Sequence, residues 1–97
     1  MALREALIFN CTGLGARALF DDQELIPIRG QLVFLLPQAE VEYCTVGPDN
    51  AYMFPRRDGI VLGGSFERNV WNTEPDAGIT ERILRENAAL FGSMRQV

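Results

Sequence analysis

Histidine is absent from this chain, so its chemistry must come from two cysteines, two tyrosines, arginines and one glycine turn. Without histidine the commonest general base and the commonest zinc ligand are missing, and no serine–histidine or cysteine–histidine pair can be built. Cys11 and Cys44 lack metal-type spacing. One follows an apolar run and the other sits in a strand-like segment, so both are expected to be buried free thiols. Gly13-x-Gly15-x-x-Ala18 has the letters of a dinucleotide fingerprint. That chemistry would seat a pyrophosphate at a helix N-terminus, but it needs a βαβ unit of roughly 30 residues and an acidic residue about 20 residues on. Here Asp21-Asp22 stops the helix after one turn, and Pro27 opens a different kind of segment. A glycine pair turning the chain after a strand is the better reading. Tyr52 opens a strand, where its phenol could hold a ligand or simply pack half-buried with its hydroxyl wet. Arg56-Arg57 precedes Asp58 and reads as a solvated turn. Asn10 is placed to hydrogen-bond the turn after it, and Trp71 to cover the edge of the sheet.

The elements that must position these residues follow from periodicity. Ala6-Leu7-Ile8-Phe9 is unbroken in its apolarity, which predicts a strand covered on both faces. Residues 25–36 are β-prone, with Pro27 at a bend and the better-paired part over residues 31–36. Residues 41–46 alternate as a half-buried strand does. Gly47-Pro48-Asp49-Asn50 is strong turn chemistry. Residues 51–55 return as a strand, Asp58-Gly59 suggests a type I′ hairpin, and residues 60–66 form the next strand. Gly63-Gly64 inside that strand marks a bulge or a close approach by another backbone or a ligand. Asp76 is a good N-cap for one helix, with Ile79, Ile83, Leu84, Ala88 and Phe91 on its apolar face and Gly92 at its C-cap. The expected fold is α+β: an antiparallel meander of about four strands, a C-terminal helix and an apolar N-terminal strand, all in one small domain.

Composition bounds the partners. A net charge of −4 and a single basic doublet argue against a phosphate backbone as ligand. No apolar run approaches the roughly 18 residues of a membrane span, and the N-terminal run is too short for a secretion signal. The expectation is a cytoplasmic chain without metal, nucleic acid or membrane partners.

Taken in order, Asn10-Cys11-Thr12-Gly13, Arg29-Gly30-Gln31, Tyr52-x-x-Pro55 and Leu62-Gly63-Gly64-x-Phe66 followed by Trp71 resemble the middle of D-amino-acid oxidases. The likeness covers nearly the whole chain. It implies that residues 1–20 are the edge of a flavin domain and that the remainder corresponds to the substrate domain. It also implies that Cys11, Thr12 and Gly13 pass beneath FAD, and that Tyr52 helps bind the carboxylate of an amino-acid substrate. In such enzymes hydride passes from the substrate α-carbon to the flavin, so the cofactor carries the chemistry. Two features depart from the pattern. The family often has a second tyrosine four residues before the first, where this chain has Pro48. Its substrate-clamping arginine lies in a Thr-Gly-x-Arg-Pro segment, which this sequence does not contain. No residue is therefore assigned a catalytic role. The resemblance implies a fragment that neither binds FAD usefully nor oxidises amino acids alone. It would partner a complementary flavin-domain chain or, through residues 6–9, a second copy of itself. The alternatives are a small non-catalytic α+β binding or assembly module, and one half of a split oxidase.

Overall fold

The computed structural model describes residues 2–94. A 3₁₀ turn over Gly13–Gly15 runs into a single-turn helix, α1, at Ala16–Leu19. Six strands follow: β1 (Ile28–Arg29), β2 (Val33–Leu35), β3 (Thr45–Val46), β4 (Tyr52–Arg56), β5 (Gly59–Gly63) and β6 (Glu67–Arg68). The long helix α2 spans Ala77–Gly92. The α+β class, the four-stranded antiparallel sheet and the C-terminal helix agree with the sequence expectation. Strands β3, β4 and β5 meander, and β2 adds at the free edge of β5, giving the order β2-β5-β4-β3. β1 and β6 pair separately as a short two-stranded ribbon.

Local chemistry accounts for the turns. Asp49 and Asn50 both take positive φ, 57° and 62°, between β3 and β4. The Ala51 amide closes that turn on the Pro48 carbonyl at 3.0 Å, as a type I′ turn should. The second hairpin differs from expectation. Its loop residues are Arg57 and Asp58, because Arg56 pairs with Gly59. Neither loop residue has positive φ, so this turn is not type I′. Gly59 is needed instead because its φ is 155° and a Cβ there would sit 2.5 Å from the Leu35 carbonyl oxygen. Pro55 is tolerated in β4 because the two residues of β3 pair only with Tyr52 and Met53 and leave that edge open.

The core lies between one sheet face and α2. Met53, Ile60, Leu62 and Ile83 are buried there, with Val33, Leu35, Val41, Ile79 and Phe91 packed around them. Burying a side chain such as Ile83 contributes about 1.5–3 kcal/mol. Asp76 caps the helix, its carboxylate accepting from the Ile79 amide at 2.9 Å. The helix ends at Gly92 with Ser93 as C-cap in ordinary helical geometry, so glycine's freedom is not used there. Leu84 and Ala88, expected on the buried face, are exposed. Asn87 takes the inward position, only 1% exposed.

Two further expectations are corrected. Residues 6–9 form no strand among the described residues, and Leu7, Ile8 and Phe9 are 72%, 53% and 80% exposed. A strand needs a ladder partner, and nothing described pairs with this run. Cys11 and Cys44 are free, as expected, but both are exposed, because nothing covers the segments that carry them. Trp71 is half-exposed and lies under the Arg17 guanidinium, 5.7 Å from ring centroid to Cζ. The radius of gyration is 18.6 Å, well above the roughly 13 Å of a compact chain of this size.

Candidate functional site

Strand alternation gives the sheet two faces. Met53, Ile60 and Leu62 point to the helix. Tyr52 and Phe54 point the other way, where no described helix covers them. On that face Phe34 and Phe54 flank Val61, each registered against it from a neighbouring strand. Tyr52 is registered against Gly63. Its ring lies directly on that glycine: a Cβ at Gly63 would overlap the ring, and one at Gly64 would come within 2.8 Å of Oη. The Gly63-Gly64 pair therefore marks a close approach, but what approaches is the Tyr52 side chain rather than another backbone or a ligand. The Tyr52 and Phe54 rings stand 5.3 Å apart at 47°. Arg56 closes the far end of the row, 5.7 Å over the Phe34 ring and bonded to Asp58 at 2.9 Å. The result is an aromatic platform with one phenol hydroxyl beside two side-chain-free residues.

The turn bearing Cys11, Thr12 and Gly13 is also on the surface. Asn10 organises it, its Oδ1 accepting from the Thr12 amide at 3.2 Å and the Thr12 hydroxyl at 2.6 Å. Gly13 takes φ 55°, which favours glycine. Among the described residues this turn packs on α1 and makes no comparable contact with the sheet, so Cys11, Thr12 and Gly13 are not gathered with Tyr52. They do not form a dinucleotide cradle either. α1 is four residues long, and every strand after it pairs antiparallel, whereas a cradle needs a parallel βαβ unit. The residues present do not fit the pyrophosphate of FAD. No cluster of metal-ligating side chains occurs among the described residues, and no described helix is long and apolar enough to cross a membrane.

Sequence reasoning missed the polar network that fixes the sheet to the helix N-terminus. Arg29 grips Glu67 with two bonds of 2.7 Å and donates to the carbonyls of Asn72 and Glu74. Ser65 donates to Glu67 and accepts from the Gln31 amide. Gln31 in turn bonds Asp76 and Thr80 at the start of α2. The Arg29 guanidinium, with the Ser65 hydroxyl, holds the Glu67 carboxyl below the usual carboxylate range, and Glu67 raises the Arg29 pKa. The only signal in the sequence was Arg29-Gly30-Gln31 itself, because its partners lie 34 to 49 residues away. Arg82 is similarly engaged, with Glu86 at 2.9 Å and the Gly64 carbonyl at 3.0 Å.

The candidate site is thus the open aromatic face of a helix-backed antiparallel sheet. No family model matches the chain. Individual relatives do. The chain is 38% identical over 89 residues to a D-amino-acid oxidase of Streptomyces coelicolor, covering 87% of this chain. It is 38% identical over 91 residues to a D-amino acid oxidase of Dugesia ryukyuensis, covering 93%. It is 32% identical over 88 residues to the human D-aspartate oxidase, covering 91%. The chain belongs to the D-amino-acid oxidase-like family. It spans 28%, 27% and 26% of the length of these three relatives.

Proposed function

We propose that this chain is the substrate-facing segment of an FAD-dependent oxidase of D-amino acids, a domain-sized piece of which residues 1–20 are the flavin-side edge. The observation that supports this most is Tyr52, seated on Gly63-Gly64 on the sheet face that no described helix covers. In this reading the Tyr52 hydroxyl donates to the carboxylate of the amino-acid substrate. Phe54 and Phe34 beside it exclude water, which strengthens that bond. Cys11, Thr12 and Gly13 offer backbone to the flavin, and FAD itself is held by parts of such an enzyme outside this chain. When bound there, FAD supplies the hydride acceptor. The cation facing the substrate carboxylate is also supplied from outside. Arg29, Arg56 and Arg82 are each tied to a carboxylate of this chain, so these three are not spare for a bidentate clamp. In this reading the 97-residue chain by itself is inactive and retains no flavin.

The test has two arms. The isolated chain is mixed with excess FAD and passed through gel filtration; absorbance near the flavin bands should not travel with the protein. The chain's matching 89-residue stretch is then exchanged into the Streptomyces coelicolor oxidase. Peroxide formation from D-amino acids supports the reading, and a folded, flavin-loaded but inactive chimera counts against it.

The exposed run Leu7-Ile8-Phe9 supports a second reading, assembly. An apolar segment with open backbone groups invites edge pairing, either with a flavin-bearing chain or with a second copy in a symmetric dimer. Light scattering that gives a monomer at micromolar concentration overturns the dimer. A cytoplasmic location completes the proposal.

A further inference from the structure

Glycine gives the backbone its widest freedom, yet the Tyr52 ring rests on two glycines in succession, Gly63 and Gly64, both buried. The strand ladder does not hold both of them. Tyr52 and Gly63 are the last pair of β4 with β5, and β5 ends at Gly63. The floor under the ring has to be fixed by something else. The side chains that reach it come from α2, which backs the other face of the sheet.

Arg82 Nη2 donates to the Gly64 carbonyl at 3.0 Å, and Asn87 Nδ2 donates to the Gly63 carbonyl at 3.2 Å. Each of these side chains is itself held. Arg82 Nη1 donates to Glu86 at 2.9 Å, one turn further along α2. Asn87 donates also to the Ile83 carbonyl at 2.9 Å. The next residue is anchored as well, since the Ser65 hydroxyl accepts from the Gln31 amide at 2.8 Å. Satisfying buried carbonyls is a structural need in itself. These bonds bear on the candidate site because of where they end. A Cβ on Gly64 would come within 2.8 Å of Tyr52 Oη, so the hydroxyl lies over the residue whose carbonyl Arg82 holds.

We infer that Arg82, with Asn87 beside it on α2, is a positioning residue for Tyr52. From the covered face of the sheet it sets the height and tilt of the glycine floor, and so the place of the phenol hydroxyl on the open face. Arg82 itself touches no substrate. The inference rests on the reading of Tyr52 as the group that meets the substrate carboxylate. That bond is made in the ground state and the transition state alike, so a displaced hydroxyl acts on KM rather than on kcat.

The test places Arg82→Met, which keeps an apolar stem and loses the donors, in the Streptomyces coelicolor chimera, once with Tyr52 present and once with Tyr52→Phe. With Tyr52 present it should raise KM for a D-amino acid by about three- to tenfold, with a much smaller change in kcat and the same flavin content. With Tyr52→Phe no hydroxyl is left to place, and the same substitution should change KM by less than about twofold. A second measurement needs no catalysis. In the 97-residue chain the α protons of Gly63 and Gly64 face the Tyr52 ring, so NMR should find them upfield of ordinary glycine positions, and Arg82→Met should move them. If Arg82→Met does not fold, Arg82→Lys takes its place in both measurements, because it keeps the charge and loses the fork that reaches Glu86 and Gly64 together. A raised KM for Tyr52→Phe beside an unchanged KM for the Arg82 variant overturns this inference and leaves Tyr52 as a substrate contact. An equal rise in both backgrounds, or glycine signals that stay in place in the folded variant, also overturns it. An unchanged KM for Tyr52→Phe alone overturns the reading of Tyr52, and this inference with it.

Discussion

The Tyr52 ring rests on the backbone of Gly63, its register partner across the β4–β5 ladder, so closely that a Cβ on Gly63 would overlap it. The same glycine offers its carbonyl to Asn87 of α2. One residue without a side chain thus carries the phenol of the open face and a tether from the covered face.

This contact sets the outcome of replacing Gly63. Its φ is not positive, and the nearest atoms an added Cβ would meet are those of the Tyr52 ring. Gly63→Ala should lower stability by about 1–3 kcal/mol, read as the urea midpoint. Adding Tyr52→Ala should return part of that loss, since the clash is gone. If the two losses simply add, the ring does not lie where it is described.

Asp76 gives an independent check on the helix that backs the sheet. Its carboxylate accepts the Ile79 amide, and its own amide donates to Gln31 Oε1 at 2.9 Å. Asp76→Ala should cost about 0.5–2 kcal/mol and reduce helical circular dichroism. Asp76→Asn, which can still cap, should keep most of the stability.

Glu67 predicts a pH dependence. Arg29 and Ser65 hold its carboxyl below the ordinary value of 4.5, so the folded state binds its proton less readily than the unfolded state. The stability this contributes is fully present above pH 4.5 and is lost as pH falls through the lower folded value. Glu67→Gln should therefore be less stable than the parent chain at neutral pH, and the gap should narrow below pH 4.5. A gap that is constant from neutral to acid pH would mean the pair contributes nothing through charge.

What the sequence disclosed follows from the range of each interaction. The Asp76 cap and the Asp49-Asn50 turn depend on neighbours within a few residues, and both are where local chemistry puts them. The face of Tyr52 follows from strand alternation. The fate of residues 6–9 and of both cysteines depends on what covers them, which periodicity cannot supply. On α2, apolar spacing put Leu84 and Ala88 inward, but the amide of Asn87 has two carbonyls to bond there. Arg29 was read as part of a motif rather than as a clamp, because Glu67 lies 38 residues away. The second hairpin was misread for a different reason. Gly59 answers to the Leu35 carbonyl on another strand, not to the turn beside it.

The central claim, that Tyr52 faces substrate, is tested most directly by the kinetics of Tyr52→Phe in the Streptomyces coelicolor chimera. Removing one hydroxyl that donates to a carboxylate should cost about 1.5–3 kcal/mol of binding, raising KM for a D-amino acid by about ten- to a hundredfold with a much smaller change in kcat. The ring remains, so folding and flavin content should stay the same. An unchanged KM in a fully flavin-loaded chimera would contradict the assignment and return Tyr52 to a packing role.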